Sequence, residues 1–369
     1  MDNPEFINEE DSKTGSGRNF FWFIPRGKYL LFLVLFIVIL FLIFLFFSSS
    51  NSPEKQKQVC GDGTNYGECS LNKPYFCSNG SLIKKSSICE CPLFFSEKNN
   101  SCISEYNKNP KKIILNYILD GNENQINFTA YQGMADYVSK ISRSIDYKKG
   151  KVPSRVDFKL KSINDKKQRE FILPLVVKIQ NITSDKDKQA EIAISIVQNI
   201  PYGSSNKTLT ISGKNSVLYA RYPYEVLYDF EGICGEKSQL LAFLLKELGF
   251  QTAIFYNQEE NHESVGIKCP LEKSWDKSGY CFVETSGPSI ISDTSITYVG
   301  GTKLKSKPKV MVISEGISLS KGLQEYQDAE ALGKINKKIE NTGEINYFDN
   351  RKLKELQKKY NLVDEYNLL

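Results

Sequence analysis

An apolar run near the start of the chain limits most sharply what it can fold into. Tyr29 to Phe47 is 19 residues of Leu, Phe, Ile and Val behind one Tyr, with no charge, Gly or Pro. As a helix rising about 1.5 Å per residue it reaches roughly 28 Å, near the thickness of a hydrocarbon core. A secretory signal has a shorter apolar stretch and a small-residue cleavage pattern. Here the run ends in Ser48, Ser49 and Ser50 with no Ala-x-Ala, and buried helices are seldom so uniformly apolar. The segment is expected to span a membrane. Arg18, Arg26 and Lys28 precede it, no acidic residue intervenes after Asp11, and the far flank is polar and near neutral. The positive-inside preference then puts residues 1–28 in the cytoplasm and everything beyond Phe47 outside.

Cysteine usage supports that orientation. Six of the nine cysteines, Cys60, Cys69, Cys77, Cys89, Cys91 and Cys102, crowd into one Gly-, Asn-, Ser- and Pro-containing segment with little helical or strand period. Such a segment buries too little apolar surface to offset its chain entropy, so it needs cross-links. Three disulfides would supply them and would persist only outside a reducing cytosol. Zinc is the rival, but its sites favour Cys-x2-Cys spacing, which is absent. The pairing itself is not readable, since six cysteines allow about 15 connectivities. Sequons at Asn79, Asn99, Asn127, Asn181 and Asn206 all lie beyond the apolar run and add slightly to the outside placement.

Charge and composition exclude several classes. Lys and Arg number 48 against 43 Asp and Glu, a net of only +5, which is no footprint of a nucleic-acid binder. A single histidine excludes multi-histidine metal sites and any chemistry needing two imidazoles. From Lys112 onward the composition is that of a folded domain. KIILNYILD and INFTAY read as strands around a turn at Asp120-Gly121-Asn122, and Met134 to Ile145 as a short helix. Arg155 to Gln180 reads as more extended chain, interrupted at Asn164 to Lys167. Asp185 caps a helix to Gln198, which Pro201 stops from continuing.

The stretch Tyr222 to Ser286 carries the chemistry. Gly232-Ile233-Cys234-Gly235 leads into EKSQLLAFLLKELGF, whose leucines and Phe243 cover so much of the circumference that the helix must be central. QTAIFYN, Ser264 to Cys269 and Tyr280 to Thr285 follow as three strands of an antiparallel sheet, with His262 at the entrance to the second and Glu284 in the third. A cysteine at a helix N-terminus feels the positive end of the macrodipole, which favours thiolate. An imidazole can take and return a proton, and a carboxylate on the neighbouring strand can fix its tautomer. First-turn N–H groups can stabilise an oxyanion. Together these are the parts of acyl transfer through a thioester, although each residue alone has an ordinary reading as core or solvated surface. Cys269 and Cys281 bracket a loop where a cross-strand disulfide could form, leaving Cys234 as the free thiol. Pairing of Cys234 with either of them would remove the nucleophile; its place at a helix start among glycines favours the free thiol.

RYPYEVLYDFEGICGEKSQLLAFLLKELGF, NHESVGIKC and YCFVETS resemble the prokaryotic transglutaminase-like family of papain-like cysteine enzymes, in its archaeal, membrane-anchored form. The resemblance runs from about Asp185 to Thr285, includes VQNIPY, and extends more loosely back to Lys112. It implies an α+β fold, with a buried Cys-bearing helix packed on an antiparallel sheet, and a Cys-His-Asp triad. The family's cysteine matches Cys234 and its histidine His262. Its aspartate matches Glu284, one methylene longer and in a Val-Glu-Thr rather than a Val-Asp-Pro context. The family's extra oxyanion donor has no secure match; Gln198 is left unassigned.

The expected organisation is a cytoplasmic tail (residues 1–28), a membrane helix (29–47), a linker (48–59), a Cys-rich module (60–102), a transglutaminase-like domain (112–302, core 185–286) and a charged C-terminal extension (303–369). In that extension VMVISEGISL reads as a strand and Asn350 to Tyr360 as an exposed helix. The expected activity is attack by Cys234 on a protein or peptide amide, with His262 shuttling the proton and Glu284 orienting it. Hydrolysis is favoured over cross-linking, because no lysine-acceptor site is identifiable. No metal, organic cofactor or nucleic acid is implied. The alternative is a catalytically inactive binding or structural protein of the same fold at the cell surface.

Overall fold

The computed structural model describes residues 34–41, 58–148, 150–211, 215–295, 297–298 and 302–362. The chain divides into two units, residues 1–57 and 58–369. In the first, residues 34–41 are helical (α1) with exposed side chains. The rest of the expected span Tyr29 to Phe47, the tail 1–28 and residues 48–57 of the linker lie outside the described residues. Among the described residues no helix is long and apolar enough to cross a membrane.

The second unit opens with two small hairpins, β1 (Tyr75–Ser78) with β2 (Ser81–Lys84) and β3 (Ser96–Lys98) with β4 (Ser101–Ile103), separated by one helical turn, α2 (Ser86–Cys89). Disulfides Cys60–Cys77, Cys69–Cys89 and Cys91–Cys102 tie this region together. All six module cysteines pair among themselves, as the composition of the segment requires. A long hairpin follows, β5 (Pro110–Leu119) with β6 (Asn122–Tyr131), turning at Asp120-Gly121. Its alternating residues Ile113, Leu115 and Tyr117, with Ile126, Phe128 and Ala130, are buried, the period-2 pattern of a one-sided strand pair.

Helices α3 (Gln132–Ser139), α4 (Arg155–Ile163), α5 (Lys166–Ile182) and α6 (Lys186–Gln198) come next. The extended reading of Arg155 to Gln180 is therefore wrong. Ser154 and Asp157 form a capping box for α4, and Asp165 caps α5 by accepting from Gln168 N–H at 2.9 Å. The run from Phe171 to Val177 is apolar at nearly every position and contains Pro174, so it shows no helical period. Nine buried residues on several sides of α5 explain this: the helix is covered by the Cys-rich module as well as by the core.

Hairpin β7 (Thr208–Ile211) with β8 (Asn215–Leu218) precedes α7 (Pro223–Asp229) and the central helix α8 (Cys234–Glu247). Leu240, Leu241, Ala242, Phe243, Leu244 and Leu245 of α8 are all fully buried. The helix lies between α6 and α7 and an antiparallel sheet ordered β11-β10-β9-β14, made of β9 (Thr252–Asn257), β10 (His262–Lys268) and β11 (Tyr280–Val283) with a later strand. After the two-residue strands β12 (Thr297–Tyr298) and β13 (Thr302–Lys303), that fourth strand is β14 (Lys309–Ser314), paired with β9. Residues past 302 thus complete the main sheet instead of only extending beyond it. Helices α9 (Gln324–Thr342) and α10 (Tyr347–Tyr360) close the unit on a small cluster of Ile290, Ala329, Leu332, Ile335, Leu353 and Leu356.

Candidate active site

Cys234 is the first residue of α8 and is half-buried. It is the free cysteine: Cys269 and Cys281 bond to each other across the β10–β11 loop, and the other six are paired in the module. The turn that delivers it is held by a buried ion pair. Glu236, in the first turn of α8, accepts from Ile233 N–H at 3.1 Å and Arg221 N–H at 2.7 Å, and pairs with the Arg221 guanidinium at 3.1 Å. Arg221 also donates to Gly203 O and Asp229. Gly232 N–H donates to Pro201 O and Gly203 N–H to Gly232 O, which lays Tyr202 beside the loop that carries Cys234. As at any helix start, the first N–H groups of α8 have no carbonyl within the helix to bond.

His262 begins β10 and is only 6 % exposed. Glu284 follows directly on β11, one residue past the strand's end, and is fully buried. His262 Nε2 meets Glu284 Oε2 at 2.8 Å. The other carboxylate oxygen accepts from Thr285 N–H at 2.9 Å and Ser286 N–H at 2.8 Å. Burial alone would push this carboxyl up, but the His262 contact and the N–H groups hold it below its ordinary value. Burial likewise opposes charge on the ring, yet hydrogen bonds to Cys234 and Glu284, with their charges, raise His262 to about 9. With Nε2 on Glu284, Nδ1 is the nitrogen left for the sulfur. Cys234, His262 and Glu284, singled out by their order in the sequence, are thus brought together.

Several surrounding residues were not identified from sequence. Hydroxyls lace α8 to the sheet: Thr285 Oγ1 donates to Cys234 O at 3.3 Å, and Ser238 Oγ lies 3.0 Å from Thr285 Oγ1 and 3.2 Å from Glu263 O. Glu263 pairs with Arg155 at 2.8 Å and Lys159 at 2.5 Å, and Arg155 stacks on Tyr256. A Cβ at Gly235 would come within 2.6 Å of Glu263 Oε2, so the charged cluster abuts the residue after the thiol. Gln198 is no free oxyanion donor: its Nε2 is committed to Glu284 O at 3.0 Å and to Ser289 O and Oγ. The one signal nearby is that Glu236, Lys237, Ser238 and Gln239 put polar side chains into the first two turns of an otherwise apolar helix. Among the described residues no group of His, Cys, Asp and Glu is arranged to hold a metal ion.

No protein-family model matches the chain, and no curated protein matches it. Among solved structures, calcium-bound LapG of Legionella pneumophila is similar at 15% identity and a TM-score of 0.25, over 47% of this chain and 97% of that one. A second LapG structure from the same organism is similar at 16% identity and a TM-score of 0.23, over 50% and 96%. With likeness this slight, the reading of the site rests on this chain's own side chains.

Proposed function

We propose that this chain is a membrane-anchored, extracytoplasmic cysteine enzyme of transglutaminase-like fold that acts on protein or peptide amides through a thioester on Cys234. The observation that carries the reading is the buried His262–Glu284 contact at 2.8 Å, on an imidazole that also bonds the one unpaired cysteine. The Cys234 sulfur attacks the carbonyl carbon, and the developing oxyanion is stabilised by N–H groups at the start of α8. His262 gives its proton to the nitrogen as the C–N bond breaks, releasing the amine and leaving the thioester. Water, deprotonated by His262, then attacks the thioester and the thiolate departs. Glu284 holds the ring in register throughout. An amine in place of water would give a cross-link; hydrolysis is favoured because no lysine-acceptor site is apparent.

The extracytoplasmic placement is supported by the four disulfides, which persist outside a reducing cytosol, and the anchor by the apolar run Tyr29 to Phe47 with its basic leading flank. The test is thiol mapping on the full chain in detergent, without reductant, at mildly acidic pH. Iodoacetamide should label Cys234 alone and fast, and His262→Ala should slow it. Labelling no faster than an ordinary thiol would move the reading to a non-catalytic surface protein.

A further inference from the structure

Lys237 sits three residues after Cys234 and is fully buried. Its Nζ donates to three main-chain carbonyls: Gln198 O at 3.3 Å, Ile200 O at 2.5 Å and Ser286 O at 3.2 Å. An ammonium has three donors and no acceptor, so this set employs them all. Burying a charge is costly even when it is fully hydrogen-bonded, and an apolar side chain of similar volume in a helix this apolar would generally be no less stable. The lysine's placement therefore points to a role beyond packing.

Gln198, the last residue of α6, completes the arrangement by donating to Glu284 O and to Ser289. The turn from Glu284 to Ser286 is thus gripped at both ends, by Gln198 at the carbonyl of Glu284 and by Lys237 at the carbonyl of Ser286. Lys237 also holds Gln198's own carbonyl, so the two grips are linked. Inside that turn the Glu284 carboxylate accepts from Thr285 N–H and Ser286 N–H. A small rotation of the turn would carry Oε2 away from His262, because the carboxylate's other oxygen is bonded to this turn's own N–H groups.

We propose that Lys237 and Gln198 form a clamp that positions Glu284 against His262. In purpose the clamp rests on the reaction proposed above, with both residues acting through Glu284 and neither touching substrate. The third carbonyl, Ile200 O, extends its hold to the segment that lays Tyr202 beside the Cys234 loop.

The chain has one histidine, so the titration of His262 can be followed by NMR on isotope-labelled full chain without assignment. Gln198→Leu removes one grip without changing charge, and Lys237→Met removes the other. Both variants should lower the His262 midpoint by about one unit or more, through loss of the Glu284 hydrogen bond. Alkylation of Cys234 by iodoacetamide should slow on the order of tenfold, the scale of a slightly misplaced catalytic group. Electrostatics alone predicts no fall for Lys237→Met: where Lys237 is charged, its removal strengthens the carboxylate's hold on an imidazolium, and near a His262 midpoint of about 9 a lysine lowered to about 8 is already mostly neutral. A raised or unchanged midpoint in Lys237→Met, or an unchanged one in Gln198→Leu, overturns the clamp. Should Lys237→Met fail to fold, Gln198→Leu decides alone. The titration is read without turnover, so it tests the clamp even where wild-type Cys234 proves unreactive and the proposed reaction fails.

Discussion

The Cys-rich module and the layer around α8 use the same residue type in opposite ways. In the module the buried apolar cluster is Cys60, Tyr75, Cys77 and Leu82, with Val177 lent by α5, and three disulfides do what a larger core would do. Around α8, Leu240 to Leu245 are fully buried against sheet and helices, the one disulfide, Cys269–Cys281, only closes a hairpin loop of the sheet, and the cysteine at the helix start is left as a thiol. The difference is one of packing supply. Where apolar burial is ample, a cysteine can be kept out of cross-linking and held by hydrogen bonds, here the Glu236–Arg221 pair and the Thr285 hydroxyl. Where it is scarce, sulfur is consumed in cross-links.

Cys234→Ser breaks that comparison most directly. Eight of the nine cysteines are paired, so the thiol content of the non-reduced full chain should fall from one to none, with all alkylation lost. A thiol still titrating in the variant would mean that one of the four disulfides is open, and peptide mapping of the label to the module rather than to Cys269 or Cys281 would make the two regions less distinct than described.

Glu284→Gln should have the next largest effect. Without the carboxylate the ring keeps its burial and its Cys234 hydrogen bond but loses the Glu284 charge and hydrogen bond, so the His262 midpoint should drop well below about 9. Alkylation of Cys234 at neutral pH should slow by about 100-fold. Stability should respond with a definite sign. A folded midpoint raised above the unfolded one stabilises fully below the ordinary histidine value, and that stabilisation is lost as pH rises through about 9. Glu191, moved to about 8, changes stability in an overlapping range but is common to both proteins, whereas Lys237, also at about 8 and held up by the Glu284 charge, falls further in the variant and adds to the difference with the same sign. The wild-type minus variant difference in unfolding free energy, measured by denaturant titration across this window, should therefore fall with rising pH. A flat difference would show that His262 is not charged by Glu284.

How much of this was legible follows the same division. The central helix, the three strands around it and the order Cys234, His262, Glu284 lie within one short stretch, where apolar period and turn residues are local signals. The pairing of Cys269 with Cys281 was readable because they bracket one hairpin loop. Helix α5 was not readable, because a helix covered on several sides by two regions shows a continuous apolar run containing Pro174 instead of a stripe, and α4, with only Ser162 and Ile163 buried, has too little of a stripe to show. The place of β14 beside β9 depends on a long-range pairing that no local pattern encodes. Lys237 and Gln198 were likewise hidden, since their partners are main-chain carbonyls that carry no sequence signature.

The cross-links should show their weight when one is removed. Replacing Cys60 and Cys77 together by Ser opens a loop spanning 17 residues, for which chain entropy gives a loss of about 3 kcal/mol. Denaturant unfolding should report this as an earlier transition of the module, with His262 titration unchanged. A shift at His262 would show that module and site are coupled through α5.

Two glycines sharpen the contrast at the smallest scale. A Cβ at Gly61 would lie 1.9 Å from the main-chain oxygen of Gln180 in α5, and backbone in a helix cannot yield. The module is seated there by further bonds: the Asn181 side chain bonds Leu82 N–H at 2.7 Å and Leu82 O at 3.0 Å, and Gln189 donates to Gly61 O at 2.8 Å. Gly61→Ala should therefore unseat the module locally and cost about 1–3 kcal/mol, the range for overpacking a tight contact. At Gly235 the obstacle is Glu263 Oε2 at 2.6 Å, the far end of a side chain held by Lys159 at this oxygen and by Arg155 at the other, ion pairs that can give where helix backbone cannot. Gly235→Ala should cost less in stability than Gly61→Ala, while disturbing Cys234 alkylation more. Equal stability losses would mean that the Glu263 ion pairs are as rigid as helix backbone, and that the site is built as tightly as the module's seat.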